Sequence, residues 1–295
     1  MKAVQKSLLD QLFFSEQRRA IDEEIYRVIT AYARNANLRN NLLYHFKIDT
    51  YRSPDLEHSK RLRSFLCLMF AEENGFDYKE VLPLAIVVEL IHNSTLIIDD
   101  IQDNDTSRCG ELALWKKVGM PTAVNAGYFL SNLAFGYYNK VLLNRSYFNY
   151  CDRVLETLDE LFHGQQSDLD FDSHRSIEVY RELAHGKTGA LFLLASVFGS
   201  MPYAFDNDKF IVLKRFTDAF SEYYQIRDDY SDILSKRDRV DASNIQNALS
   251  EQDFSAYVYE LEKTVMSAIE ELQKISLVRS KTLTRAFDQF RITFN

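Results

Sequence analysis

The chain has 295 residues, 46% of them hydrophobic, including 21 Phe and 17 Tyr, enough apolar surface for a sizeable core. Its formal charge of −8 excludes nucleic acid as a partner, because phosphate backbones are bound by basic surfaces, and leaves small phosphorylated substrates open. Nine Gly and four Pro, with no Gly after Gly199, give too little turn chemistry for a hairpin-rich or parallel sheet, so an all-α fold forming one domain over residues 1–295 is expected.

Cys67, Cys109 and Cys151 are odd in number and in no metal-ligand spacing, which reads as free thiols in a reducing compartment. No apolar run reads as long enough to span a bilayer, so no transmembrane segment is expected. The stretch from Met1 to Leu9 meets acids and bases too soon for a signal peptide, leaving a cytoplasmic location as the expectation.

In chain order, residues from about Leu12 to Arg34 read as an amphipathic surface helix, Asn35 to Asn41 as a break, and Asp49 to Leu56 as a second break around Pro54. Lys60 and Arg63 then stand three apart at the start of an apolar helix, either as a solvated basic turn or as an anion clamp. Pro83 suits the first turn of the next helix. That helix runs through His92 into Asp99, Asp100 and Asp103, three acids on one patch behind an apolar segment. Acids this close disfavour each other's ionisation, and carboxylate oxygens suit Mg2+, which bridges protein acids to substrate phosphates. His92 lies nearly on the Asp99 face about 10 Å away, as a ligand-facing group or a bonded core histidine. Ser94 and Thr95 are small and leave open volume beside the acids.

Asn104 to Met120 is polar, holds Arg108, Gly110 and Gly119, and reads as a loop or flap. Helical patterning returns from Thr122 to Leu143, Asp152 to Phe162 and Ile177 to Phe198. The last of these contains Gly186-Lys187-Thr188-Gly189, where two glycines weaken a helix and imply that its backbone must open. It is no nucleotide P-loop, since the Gly-rich lead-in and preceding strand are missing. The last helices begin near Asp206, and Gln225 to Asp232 repeats the acid spacing with Asp228, Asp229 and Asp232. One such cluster alone is commonly a solvated face. Two, each behind an apolar run, point to facing helices with metal ions and a polyphosphate between them. Apolar steps from Phe254 to Ile275 mark an amphipathic closing helix.

These blocks resemble the trans-isoprenyl diphosphate synthase family, most closely its eukaryotic-type geranylgeranyl diphosphate synthases. Lys60-Arg61-Leu62-Arg63 is similar to its Gly-Lys-x-x-Arg block, with Ser59 in place of Gly. His92 to Asp103, Gly164 to Leu169, Lys187 to Gly189 and Gln225 to Asp232 match the blocks that follow, in order. The resemblance implies an all-α fold around a deep central cavity, and a homodimer. Mg2+ would be held by Asp99, Asp100, Asp103 and Asp228, with Asp229 and Asp232 in support, against an allylic prenyl diphosphate. Arg108 and Lys187 would contact that diphosphate, Thr188 and Gln225 would stabilise the developing cation, and isopentenyl diphosphate would lie by Lys60, Arg63 and His92. Small Ser94 and Thr95 favour a geranylgeranyl-sized product.

The departures concern the acceptor. Cys109 stands where the family has a second Arg, Trp115 where His is common, and Asp241 to Ala248 supplies no Lys. A thiol cannot replace a bidentate guanidinium. The readings are therefore a prenyl diphosphate synthase, the same ionisation with another acceptor or a terpene cyclase's internal attack, and a weakly active subunit of another synthase.

Overall fold

The computed structural model describes residues 15–48, 61–170, 176–234 and 251–292, with backbone alone at 15, 231–234, 251–252 and 289–290. They group into two compact units, residues 1–148 and 149–295. The expected all-α fold is the observed one: the only described sheet is a two-stranded hairpin.

The first unit holds α1 (Ser15–Tyr32), α2 (Ala36–His45), α3 (Leu62–Glu73) and α4 (Tyr78–Gln102). Strands β1 (Ser107–Arg108) and β2 (Glu111–Leu112) follow, then α5 (Leu114–Val118) and α6 (Met120–Asn144). Helix α4 is the axis, packed chiefly on α6 and α3. Val81, Leu84, Ile86, Val88 and Leu90 are fully buried, and so are Ile21, Ile25, Val28 and Ile29 of α1, which is a core helix with one wet face. By length and composition α4 could cross a bilayer, contrary to expectation. Most of it is instead buried in this unit, together with Glu89 and Asp100, as suits a core helix.

The break expected over Asn35 to Asn41 is shorter. Asn35 caps α2, its side chain accepting from the Leu38 N–H at 3.0 Å, so Asn-rich sequence begins a helix. Pro83 sits inside α4, because Asp77 caps the helix six residues earlier. The polar stretch after the acids is a hairpin and a short helix. Cys109 and Gly110 form its two-residue turn, both at positive φ (52° and 79°), as a type I′ turn demands.

The second unit holds α7 (Cys151–Leu169), α8 (Ile177–Leu183), a π-helical turn (Ala184–Gly189), α9 (Ala190–Ser200), α10 (Asn207–Leu234), α11 (Glu251–Lys274) and α12 (Thr282–Phe290). Every residue of α9 is buried. Its Phe192 meets Phe220 and Tyr224 of α10 edge-on, with centroids 5.3 and 5.6 Å apart, and Phe216 stacks on Phe220. The periodic run from Phe254 forms α11, but α12 follows it, so it does not close the chain.

The opening expected at Gly186 to Gly189 is the π-turn, a geometry in which one extra residue widens the helix and re-aims its side chains. It packs closely on α7. A Cβ on Gly164 would lie 2.9 Å from the Lys187 amide nitrogen, and one on Gly186 3.0 Å from the Glu160 carbonyl, so only glycine fits at this crossing.

Candidate active site

In the first unit, the acids at the end of α4 do not behave alike. Asp100 is buried and gripped by Arg108 of β1, whose Nε lies 2.8 and 2.9 Å from its two oxygens and whose Nη2 lies 2.6 Å from one of them. Burial alone would lower the guanidinium's pKa, but the bonds to Asp100 outweigh it and hold it above the ordinary value. Asp99 and Asp103, one turn apart, are half-buried, and the Asp103 N–H closes the helix on the Asp99 carbonyl at 2.9 Å. Asp99 and Asp103 thus lie together on one half-buried face, while buried Asp100 holds the hairpin through Arg108, whose Nη2 also comes within 4.0 Å of Asp99.

Two turns earlier, His92 accepts a hydrogen bond at its Nε2 from Arg63 Nη1 at 3.0 Å, which leaves the ring proton on Nδ1. Burial first, then the neighbouring Arg63 and Arg108, push its pKa well below the ordinary histidine value, so it is neutral. Thr95 shares its half-exposed face. Ser94 is buried instead, on the stretch of α4 that Gly127 of α6 approaches, so it leaves no open volume by the acids. Arg61, at φ 47°, turns inward: its Nε donates to Asp22 at 2.9 Å, Nη1 to Glu89 at 3.1 Å and Nη2 to the Phe46 carbonyl at 2.6 Å. Glu89 also accepts from Ser64 and Asn93. This network over-determines the left-handed residue that starts α3 and sets the direction of Arg63.

In the second unit, Lys187 of the π-turn donates to Asp168 of α7 at 3.0 Å. Thr188 Oγ1 donates to Gln225 Oε1 at 3.2 Å, and Gln225 Nε2 donates to Asp229 at 3.0 Å. The other Asp229 oxygen accepts from the Tyr180 hydroxyl at 2.9 Å. Burial, then the nearby Asp229 charge, raises the Tyr180 pKa well above the ordinary value, fixing it as a donor. Asp228 is half-buried beside this chain of bonds.

The structure therefore brings together Arg63 with His92 and Arg108 with the first acids in one unit, and Lys187, Thr188, Gln225 and Asp229 in the other. Lys60 lies outside the described residues, as does the segment Asp241 to Ala248, and of Asp232 only the backbone is described, in α10. Sequence reading missed Arg61, Glu89, Asp168's bond to Lys187, and Tyr180, none of which stands at a spacing that marks it.

Among the described residues no three His, Cys, Asp or Glu side chains converge as an all-protein metal cage. Hard oxygens from a pair such as Asp99 and Asp103 nevertheless fit Mg2+, which takes one or two carboxylates and fills the rest of its octahedron with water and phosphate.

A family model described as polyprenyl synthetase matches residues 52–284. The chain is similar to the short chain isoprenyl diphosphate synthase of Methanocaldococcus jannaschii, 31% identical over 182 residues, 61% of this chain and 56% of that one. It is 33% identical over 179 residues to the geranylgeranyl diphosphate synthase of Methanosarcina mazei, 60% of this chain and 55% of that one. The matches thus span little more than half of these relatives. The solved geranyltranstransferase of Thermotoga maritima superposes with a TM-score of 0.73 at 23% identity, over 93% of this chain and 97% of that one, which shows a shared fold.

Proposed function

Because the chain belongs to the polyprenyl synthetase family, we propose that it is a Mg2+-dependent prenyltransferase that ionises an allylic diphosphate and condenses it with isopentenyl diphosphate. The product is a longer prenyl diphosphate, of geranylgeranyl size on the strength of the small Thr95. The observation that carries this reading is the grouping on α4: Asp99 and Asp103 stand one turn apart on a half-buried face beside the Arg108–Asp100 pair, and the Arg63–His92 pair offers donors to an anion.

Asp99 and Asp103 in the first unit, and Asp228 in the second, would each offer carboxylate oxygens to Mg2+, which when bound stabilises the departing pyrophosphate. Lys187 adds a cation beside the allylic diphosphate. Thr188 gives its proton to Gln225, so its lone pairs are left to face a developing carbocation. Tyr180 and Gln225 together fix the Asp229 carboxylate. On the acceptor side, Arg63 and the Nδ1–H of neutral His92 donate to phosphate oxygens. Once the allylic C–O bond has broken, the acceptor's double bond attacks the cation to form the new C–C bond, and the released pyrophosphate takes the proton lost from the acceptor.

Cys109 favours a second reading, in which the cation meets another acceptor or its own double bonds. It is exposed at the hairpin tip and cannot grip a diphosphate as a guanidinium would. Mass spectrometry of geranyl, farnesyl and geranylgeranyl diphosphate reactions, each with and without isopentenyl diphosphate, separates the two, with Asp99→Ala as control. Elongation only when both substrates are present supports the synthase. Consumption to hydrocarbon or alcohol without isopentenyl diphosphate supports the second reading.

A homodimer belongs to the same proposal. Leu155, Phe162 and Leu169 stand exposed at seven-residue spacing along α7, an apolar seam suited to a facing helix. Sedimentation of Phe162→Glu as a monomer, against a wild-type dimer, supports that seam.

A further inference from the structure

The segment carrying Lys187 and Thr188 is fastened to α10 at two acids seven residues apart. Tyr180 bonds to Asp229, and its neighbour Arg181 donates from Nε to Glu222 at 3.2 Å. The Glu222 side chain is 4% exposed. It also accepts from the Tyr257 hydroxyl of α11, and that hydroxyl accepts from Arg181 Nη2 at 2.9 Å, closing a three-membered ring of bonds across α8, α10 and α11. His185, in the π-turn, places Nε2 3.8 Å from the other Glu222 oxygen. Burial pushes the Glu222 pKa up, but His185, Tyr257 and Arg181 outweigh it, and the group stays ionised.

The far end of the π-turn meets the same stretch of α10. A Cβ on Gly189 would lie 2.8 Å from Ser221 Oγ, so turn and helix touch there without room for a side chain. Gly189 is thus packed on Ser221 and His185 lies beside Glu222, and the residues between them are the ones that reach Asp168 and Gln225. A buried carboxylate is costly unless fully partnered, and helix packing alone at this position would be served by an apolar residue.

We infer that Glu222 is a positioning residue: through its bonds to Arg181 and Tyr257 it holds α8 and the π-turn that follows it in the one register that presents Lys187 and Thr188. The inference rests on the proposed function for its consequence in catalysis, but not for its structural content.

The test compares wild type, Glu222→Leu, Glu222→Gln and Tyr257→Phe in two measurements. In the free protein, amide hydrogen exchange at residues 184–189 is expected to quicken about tenfold in Glu222→Leu, confined to that segment, and to stay near wild type in Glu222→Gln. The amide oxygen still accepts from Arg181 and Tyr257. Calorimetric binding of inorganic pyrophosphate with Mg2+ is expected to weaken about tenfold in Glu222→Leu, with no further loss when Lys187→Ala is added to it beyond Lys187→Ala alone. Unchanged exchange at 184–189, or fully additive binding losses, overturns the inference; a merely structural acid would lower the melting temperature and leave the two substitutions additive. If Glu222→Leu does not fold, Tyr257→Phe is read the same way, with an intermediate effect expected. If wild type binds no pyrophosphate, the proposed function fails and the exchange measurement alone decides the role of Glu222.

Discussion

The Arg108 guanidinium bonds both oxygens of the Asp100 carboxylate, tying the first strand of the hairpin to the last turn of α4. Within the first acid motif this leaves one buried structural acid and two half-buried ones. Arg108→Ala strands a carboxylate that is 1% exposed, and removing one partner of a buried pair costs about 3–5 kcal/mol. Asp100→Asn removes the charge itself and costs less, about 1–3 kcal/mol. Asp99→Asn, on the half-buried face, shifts stability by no more than about 0.5 kcal/mol while abolishing Mg2+-dependent turnover. Urea denaturation of the three variants beside activity assays checks this ordering.

Cys109 occupies a left-handed position, which is strained for a residue with a side chain. Cys109→Gly stabilises the hairpin by up to about 1 kcal/mol, seen as a higher melting temperature. Cys109→Arg restores a guanidinium at the tip, and for a synthase it lowers the KM for isopentenyl diphosphate about tenfold with little change in the allylic KM. An unaltered acceptor KM would mean that the tip does not face that substrate.

The crossing of α7 and the π-turn makes two glycines unlike a third. Gly164→Ala places a methyl 2.9 Å from a backbone nitrogen, and the helices must separate at a cost of about 1–3 kcal/mol. Gly136→Ala, in α6 with nothing within 4 Å, stabilises by about 0.5–1 kcal/mol through helix propensity. Thermal denaturation of the two variants should move in opposite directions.

Two histidines make stability depend on pH. His45 is pushed down to about 3, mainly by burial and then by Arg108, Arg61 and Lys47, and His92 is lowered in the same sense. A histidine with a depressed folded pKa contributes stability that is complete above its unfolded pKa and is lost as pH falls below it, because the unfolded chain takes up the proton and the native one does not. Stability should therefore drop as pH falls from about 6.5, by up to about 2 kcal/mol per histidine at pH 5, before the carboxylates titrate. Denaturation midpoints of wild type and His45→Gln, which flattens this part of the profile, measure the effect.

Helix α4 and its acids were legible because they carry a local signal, an apolar run ending in acids at helical spacing. The opening at Gly186 to Gly189 was legible as a conflict between glycine and helix, although its π geometry was not. Arg61 reads in sequence as one more base in a basic turn, yet it is buried on Asp22, 39 residues away. The Arg108 clamp and the Tyr180–Asp229 bond likewise join residues whose types are ordinary and whose pairing exists only once the helices are packed. Asn35 and Pro83 misled for the opposite reason: a turn-forming residue also caps a helix, and a proline is tolerated one turn further in when an earlier cap starts the helix.

The most direct test of the account is the transfer of labelled isopentenyl diphosphate into extractable prenyl product, with an allylic diphosphate and Mg2+, before and after chelation. The account predicts label in a product longer than the allylic substrate, lost on chelation and in Asp99→Ala. Allylic diphosphate consumed with Mg2+ while no label enters the product would contradict it.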